Sequence, residues 1–451
     1  MITEDSFLSL YPLFYSGYGK KEQGRDLMNR IELLVYQLVK RNPRIKNRIR
    51  DLYQYLFSLV PVKSCVSVYP MITREGYFFG FHDKNPWSFD NRRLLAHDFQ
   101  GLSNIDPGIG DRVTVGFFEG EDYGSFRKIA STSCFNWQQG SMLQWLGKSD
   151  HLVFNDVDGS ENIARIFDPG GHEMDMLPAA IAVADPVGKV ALSYNFTRLQ
   201  RYFPGYGYMH GHDAEIDEPV PSSHGINLID IPGNRITRLF SVRDIAALQP
   251  EPGMKGAFHF LTHCLFSPSG QRFVFLHRWV RDLNFVCTRL LSCDRNGGNL
   301  HVFPTREMVS HIAWQDESHV LAYARSRDGR DSYILFRDLS EEYQPIGTEA
   351  LNSDGHPSFL PGSRNWFVTD TYPDRFRRSY LILYDLLTNK RFDLGSFRQP
   401  IAFTETIRCD LHPRWNRNGS MISFDSAHTG KRALCTLSLG DIPVAGKVKS
   451  L

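Results

Sequence analysis

The feature that most constrains this chain is a repeat. Four segments, LTHCLFSPSGQRFVFLHR, VSHIAWQDESHVLAYAR, DGHPSFLPGSRNWFVTDTY and CDLHPRWNRNGSMISFDSAH, share one pattern. A histidine is followed three residues later by an aromatic or apolar anchor, then by a turn, then by a short apolar strand. The anchors are Phe266, Trp314, Phe359 and Trp415, and weaker copies around Trp87, Trp145 and Ala184 bring the number to seven. Between copies runs a second kind of hairpin, as in NIARIFDPGGHEMDML and SYLILYDLLTNKRFDL. Two hairpins per repeat make a four-stranded blade, so the pattern predicts an all-β, seven-bladed β-propeller over residues 62–451.

The repeat also predicts how the ring closes. After Arg432 only ALCTLSL reads as a strand, which leaves the last blade one strand short, while SCVSVYPM at 64–71 is spare. That segment is expected to supply the missing outer strand. About eighty residues separate Ala184 from Phe266, which predicts an insertion around 197–222, an ordered loop or lid carrying Tyr202, Tyr206, Tyr208, His210 and His212.

Residues 1–61 follow a different rule. Leu27, Ile31, Leu34 and Leu38, then Ile45, Ile49, Leu52 and Leu56, recur at helical spacing on either side of Pro43, which predicts an N-terminal α-helical hairpin extension. Its polar face carries Lys40, Arg41, Arg44, Lys46, Arg48 and Arg50, so it is expected to cap the main domain or to touch a membrane surface or a protein partner. The whole chain has 51 Lys and Arg against 50 Asp and Glu, which argues against nucleic acid as a partner. Its 7 cysteines include no CxxC pair, so neither a zinc cluster nor a disulfide framework is expected. The N-terminus lacks a basic region leading into an apolar run, and the expected location is cytoplasmic.

The phase of the histidines points to function. A residue just before the innermost strand of a blade lies near the central funnel, and the end of the returning strand lies beside it. His263, His311, His356 and His412 all hold the first position, and His277 with Arg278, Arg325, Asp370 with Tyr372, and Asp425 with His428 hold the second. With 16 histidines in 451 residues, four of seven equivalent positions fall to histidine by chance on the order of one time in ten thousand. A shared hydrogen bond between neighbouring blades is the plainer explanation, and the polar partners at the same end argue against it. Gln138, Gln139, Asn155 and Asp156 in blade 2, and His82 with Asp83 in blade 1, occupy similar rims and read more simply as turn or hydrogen-bonding residues. His210 and His212 lie in a glycine-rich loop and read equally well as exposed or functional.

The wording of the repeats, especially GHPSFLPG, CDLHPRWNRNGSMISFDS and THCLFSPSGQRFVF, resembles the TolB-like propellers and, more narrowly, the oligogalacturonate lyases, best over residues 255–440. The resemblance implies a seven-bladed enzyme that cleaves uronic-acid oligosaccharides or polysaccharides by β-elimination with a divalent metal, typically Mn²⁺. Taken by blade order, it implies His311, His356 and His412 as metal ligands and His263, supported by Arg278, as the base. Tyr372 or Tyr208 would donate to the leaving oxygen, and Arg325, His277 and Arg414 with Tyr208 are the expected substrate contacts. The family places a glutamine ligand two residues after one of the histidines, whereas His356 is followed by Pro357 and Ser358. Gln139 or Gln138 from blade 2, water or Asp370 completes the shell, or no metal binds. Asp370 and Asp425 are expected to orient ligating imidazoles. Glycoside hydrolysis, another sugar modification in surface-polysaccharide metabolism, and a non-enzymatic scaffold stand as alternatives.

Overall fold

The computed structural model describes residues 55–57, 60–102, 105–281 and 286–440. Apart from 55–57, the expected helical hairpin lies outside the described residues. Among the described residues, seven antiparallel sheets follow one another along the chain, each holding four strands in sequence order except where the ring closes. This is a seven-bladed propeller.

The turn chemistry explains the innermost hairpin of each repeat. In blade 4, Phe258–Phe266 runs through Ser267-Pro268-Ser269-Gly270 into Arg272–Val280. Pro268 sets the first turn dihedral, Gly270 takes φ +73°, and the Gly270 N–H donates to the Ser267 carbonyl at 2.8 Å. Asp185 with Gly188 in blade 3 and Asn416 with Gly419 in blade 7 form the same turn.

The aromatic anchors explain why the repeats stay in phase. Three of the anchoring indoles donate to the residue just ahead of their counterpart in the preceding blade. Trp145 Nε1 reaches the Pro86 carbonyl at 2.9 Å, Trp314 Nε1 the Leu265 carbonyl at 3.0 Å, and Trp415 Nε1 the Ser358 carbonyl at 3.0 Å. The apolar faces then fill the gaps between blades: one core cluster joins Trp87, Leu94 and Phe117 of blade 1 to Trp145 and Phe154 of blade 2, and another joins blades 6 and 7. A buried aromatic pair of this kind adds about 1 kcal/mol beyond the area it hides.

The closure differs in register from the expectation. Met71–Glu75, not 64–71, is the outer strand of blade 7, pairing along Ala433–Ser438. Cys65–Ser67 instead adds a fifth strand to blade 6, against Lys390–Arg398. Pro70 is the cause. It has no N–H to give a ladder, so the run breaks there and its two parts pair with different blades.

Residues 194–224 link the second and third strands of blade 3 and contain a helix, Phe196–Tyr202, capped by the Asn195 side chain. Arg198, almost fully buried, holds the loop together by donating to the carbonyls of His259, Glu215, Ile216 and Glu218. No helix among the described residues is long and apolar enough to cross a membrane.

Candidate metal centre

Blade 1 breaks the repeat to build the floor of the funnel. Phe78 pairs with His97 and Trp87 with Leu94, so residues 79–86 have no place on that strand and leave the sheet. They carry Phe81 into the centre, where its ring centroid stands 5.1, 5.9, 5.8 and 5.1 Å from those of His263, His311, His356 and His412. The four repeat histidines therefore surround one phenyl ring, and a fifth, His82, stands beside it.

Local backbone turns the rings inward. His263 and His412 hold left-handed φ of 55° and 47°, as does Met142 at the same phase of blade 2. In blade 4 this residue lies in the register break between Thr262 and Leu265, and in blade 5 His311 lies in the break between Val309 and Ile312. A non-glycine residue in this region costs about 1 kcal/mol and persists where the surroundings hold it.

The hydrogen bonds fix which ring nitrogen is bare. His311 Nδ1 lies 3.0 Å from Asp354 Oδ1, His356 Nδ1 2.8 Å from Asp370 Oδ1, and His82 Nδ1 2.9 Å from the Pro357 carbonyl. Ionised carboxylates and carbonyls only accept, so each Nδ1 carries the proton and each Nε2 presents a lone pair. The Nε2 atoms of His82 and His412 are buried with no hydrogen-bond partner. His356 and His311 are 3.9 Å apart by ring centroid, and His356 and His412 are 4.2 Å apart. Buried imidazole nitrogens that converge without a protein partner suit a cation.

Two carboxylates are built into the frame by a short motif. Asp354 and Asp410 each stand two residues before a funnel histidine, and Gly355 lies between Asp354 and His356. A Cβ on Gly355 would sit 2.0 Å from the Asp370 carbonyl oxygen and 3.0 Å from its Oδ1. Glycine thus lets Asp370 close on His356, accept from its N–H at 2.8 Å, and accept the His412 N–H at 3.0 Å. Gly355→Ala is expected to weaken Mn²⁺ binding by about 10-fold or more, read by calorimetric titration. Asp410 has a different partner, the Arg408 guanidinium at 2.6 and 2.8 Å. The donor atoms of His356, Asp410 and His412 lie within 4.8 Å of one another, a mixed imidazole and carboxylate set that fits Mn²⁺ or another borderline divalent ion.

Electrostatics follow from burial. Burial, then the neighbouring His356 and His311, hold His82 well below the ordinary histidine range. Burial and then Arg278 do the same to His263, and burial and then His356 to His412. His311 is lowered by burial and His356, against Asp354. Burial also works against charge on His356, but Asp370 outweighs it and the group is raised. Asp410 is lowered, because Arg408 overcomes its burial. The mouth carries positive charge. Arg278 is buried over the Phe203 ring at 4.5 Å, pushed down to about 10 chiefly by burial, and its Nε is buried with no hydrogen-bond partner. Arg408 stacks over Tyr372 at 4.8 Å, and Tyr206 approaches His263 to 5.9 Å from the insertion.

Several expected site residues have other duties. Tyr208 is 1% exposed, stacked on Phe196, and receives the Asn155 amide on its hydroxyl, so it belongs to the core and not to a leaving-group donor position. Tyr208→Phe is expected to cost about 1 kcal/mol in stability and leave activity unchanged, read by urea midpoint and turnover. His277 faces away from the funnel, bonded to His259 at 2.8 Å and to Arg289 at 3.0 Å, because it alternates with Arg278 along one strand. Arg325 pairs with its cross-strand neighbour Asp331 at 2.7 Å. Arg414 is fully buried and bonds the carbonyls of His412 and Gly80 and the Asp425 carboxylate, so it is a tie between blades. Asp425 accepts from Phe79 N and Gly80 N and does not orient His412. The Gln139 N–H donates to Asn136 Oδ1 at 2.7 Å, and its side-chain Oε1 is buried without a hydrogen-bond partner. Asp354, Asp410, Arg408 and Phe81 do not stand out in the sequence, and His82 reads there as a turn or hydrogen-bonding residue. The aspartate two places ahead of the histidine in both DGH and DLH was the available signal, since that spacing returns to one side of an extended chain.

No protein-family model and no curated protein sequence matches the chain. Solved structures do. An oligogalacturonate lyase in complex with manganese matches with a TM-score of 0.58 at 12% identity, over 84% of this chain and 99% of that one. An oligogalacturonate lyase from Vibrio parahaemolyticus matches with a TM-score of 0.56 at 11% identity, over 84% and 99%. The chain shares their propeller fold. At this identity the likeness to oligogalacturonate lyases is one of fold, and any chemistry rests on the funnel itself.

Proposed function

We propose that the protein is a metal-assisted lyase that cleaves a uronic-acid-containing oligosaccharide by β-elimination in the funnel. The observation that carries this reading is the meeting, around Phe81, of a divalent-ion donor set with the neutral imidazole of His263, beside the buried Arg278 guanidinium. The fold shared with oligogalacturonate lyases supports it.

The reaction removes the proton on C5 of a uronate, beside its carboxylate, forms the C4–C5 double bond and breaks the C4–O bond, with a proton passing to the leaving oxygen. That C5 proton is only weakly acidic, because its removal builds charge on the carboxylate. His356, Asp410 and His412 would hold a divalent ion, which when bound would supply positive charge to neutralise this group. His263 has the qualities of the base. It is uncharged at neutral pH, since burial and then Arg278 lower it, and Thr262 Oγ1 at 2.9 Å engages Nδ1 while Nε2 keeps no protein partner among the described residues. Arg278 and Arg408 at the mouth would bind the anionic sugar, and Tyr372, held protonated by burial, would donate to the leaving oxygen.

The test is direct. With Mn²⁺ and short uronate oligomers, the protein should generate product absorbing near the ultraviolet edge with no gain of water in its mass. His263→Ala should lower turnover by about 10²–10⁴-fold while retaining Mn²⁺ binding. Hydrolysed products heavier by one water, or no product from any uronate oligomer, contradict the reading.

A further inference from the structure

We propose that the funnel cation is also the clasp of the ring, with His82 as the ligand that carries the clasp from the N-terminal segment, which forms the outer strand of blade 7 and then blade 1, to the C-terminal blades 6 and 7. The proposal rests on the metal reading above. It concerns a residue outside the donor trio and a consequence for the fold.

The ring closes at a seam inside the blade 7 sheet, where the N-terminal strand Met71–Glu75 is held to Ala433–Ser438 by hydrogen bonds alone before the chain runs on into blade 1. On one side lie His356, leading into blade 6, and Asp410 and His412, leading into blade 7; on the other lies the blade 1 excursion that carries His82. Three donors leave at least one position of a four-coordinate ion open, and three positions of a six-coordinate one. His82 has what such a position requires. It is 5% exposed, its N–H is committed to the Pro357 carbonyl of blade 6, and its Nε2 lone pair is buried without a partner. Its ring centroid stands 5.3 Å from that of His356, 5.8 Å from that of His311 and 6.5 Å from that of His412. A buried lone pair that no donor meets is unfavourable unless something else meets it.

The excursion is itself sewn to blade 7. Phe79 N and Gly80 N donate to Asp425 at 3.0 and 2.8 Å, and Asn85 Nδ2 donates to the Trp415 carbonyl at 3.0 Å. A cation that takes Nε2 of His82 together with the trio therefore ties blades 1, 6 and 7 at one point. Binding to the closed ring and not to the open chain raises stability by mass action.

The experiment uses the full chain, stripped with a chelator and titrated with Mn²⁺ alone, followed by thermal unfolding and by calorimetry. In the wild type, saturating Mn²⁺ is expected to raise Tm by about 5 °C. His82→Asn keeps an amide N–H where Nδ1–H bonds Pro357 and removes Nε2. It is expected to match the wild-type Tm without cation, to bind Mn²⁺ about 10–100-fold more weakly, and to lose the Tm gain in proportion. His82→Gln, whose amide oxygen reaches toward the Nε2 position, should recover part of both. If His82→Asn binds Mn²⁺ as tightly as the wild type, the clasp is overturned and the metal reading stands. A lowered Tm without cation in both variants, with Mn²⁺ affinity unchanged, assigns His82 to packing and likewise overturns it. If the wild type takes up no Mn²⁺, the metal reading falls and the clasp with it.

Discussion

Asp370→Ala is expected to destabilise the protein by about 3–5 kcal/mol and to abolish divalent-ion binding. The carboxylate is 1% exposed and meets three donors: the His356 N–H and Nδ1–H through Oδ1, and the His412 N–H through Oδ2. Alanine leaves all three buried without acceptors, and each unmet donor costs about 1–3 kcal/mol. It also frees the His356 ring to turn, and removes the charge that raises His356 against its burial. Asp370→Asn separates the two effects. It keeps the volume and one acceptor oxygen, so most stability should return while ion affinity stays low. Urea midpoints in chelator and Mn²⁺ titrations read the two quantities independently. An Asp370→Ala protein with wild-type stability would show that the carboxylate does not bridge the two histidines.

Arg414→Met is the second large effect. Arg414 and Asp425 form a buried ion pair at 3.1 Å, with side chains 1% and 2% exposed, and the guanidinium also bonds two carbonyls on opposite sides of the seam. Removing one partner strands the other, at a cost of about 3–5 kcal/mol. Asp425→Asn on top of it should recover a part, because the stranded charge is gone while the amide oxygen still accepts from Phe79 N or Gly80 N. The coupling comes from urea midpoints of the two single variants and the double one. Amide exchange should rise first in Met71–Glu75 and its partner Ala433–Ser438, the two strands that close the ring.

What the sequence discloses and what it hides follow from how each residue is held. The anchors are legible because Trp145, Trp314 and Trp415 perform one task three times: each indole spans to the preceding blade, and a repeated task leaves a repeated letter. The histidine phase is legible for the same reason. Asp354 and Asp410 are hidden by the unlike residues around them, although DGH and DLH place them alike. His82 and Phe81 are hidden more deeply. They lie on an excursion between Phe78 and Trp87 that has no counterpart in other blades, so no alignment of repeats puts them in the centre. Arg325 and His277 mislead in the opposite direction. Their position along the strand is right for the funnel, but Asp331 engages the first, and strand alternation turns the second toward His259 and Arg289. The closing strand is missed by a few residues because a proline, read as part of one run, divides it in two.

The most direct test of the central claim is an anomalous difference map from crystals of the full chain soaked in Mn²⁺, collected at the manganese edge. The account predicts one peak in the funnel within bonding distance of His356, Asp410 and His412, absent in His412→Ala. A peak elsewhere, or none in the funnel at saturating Mn²⁺, contradicts it.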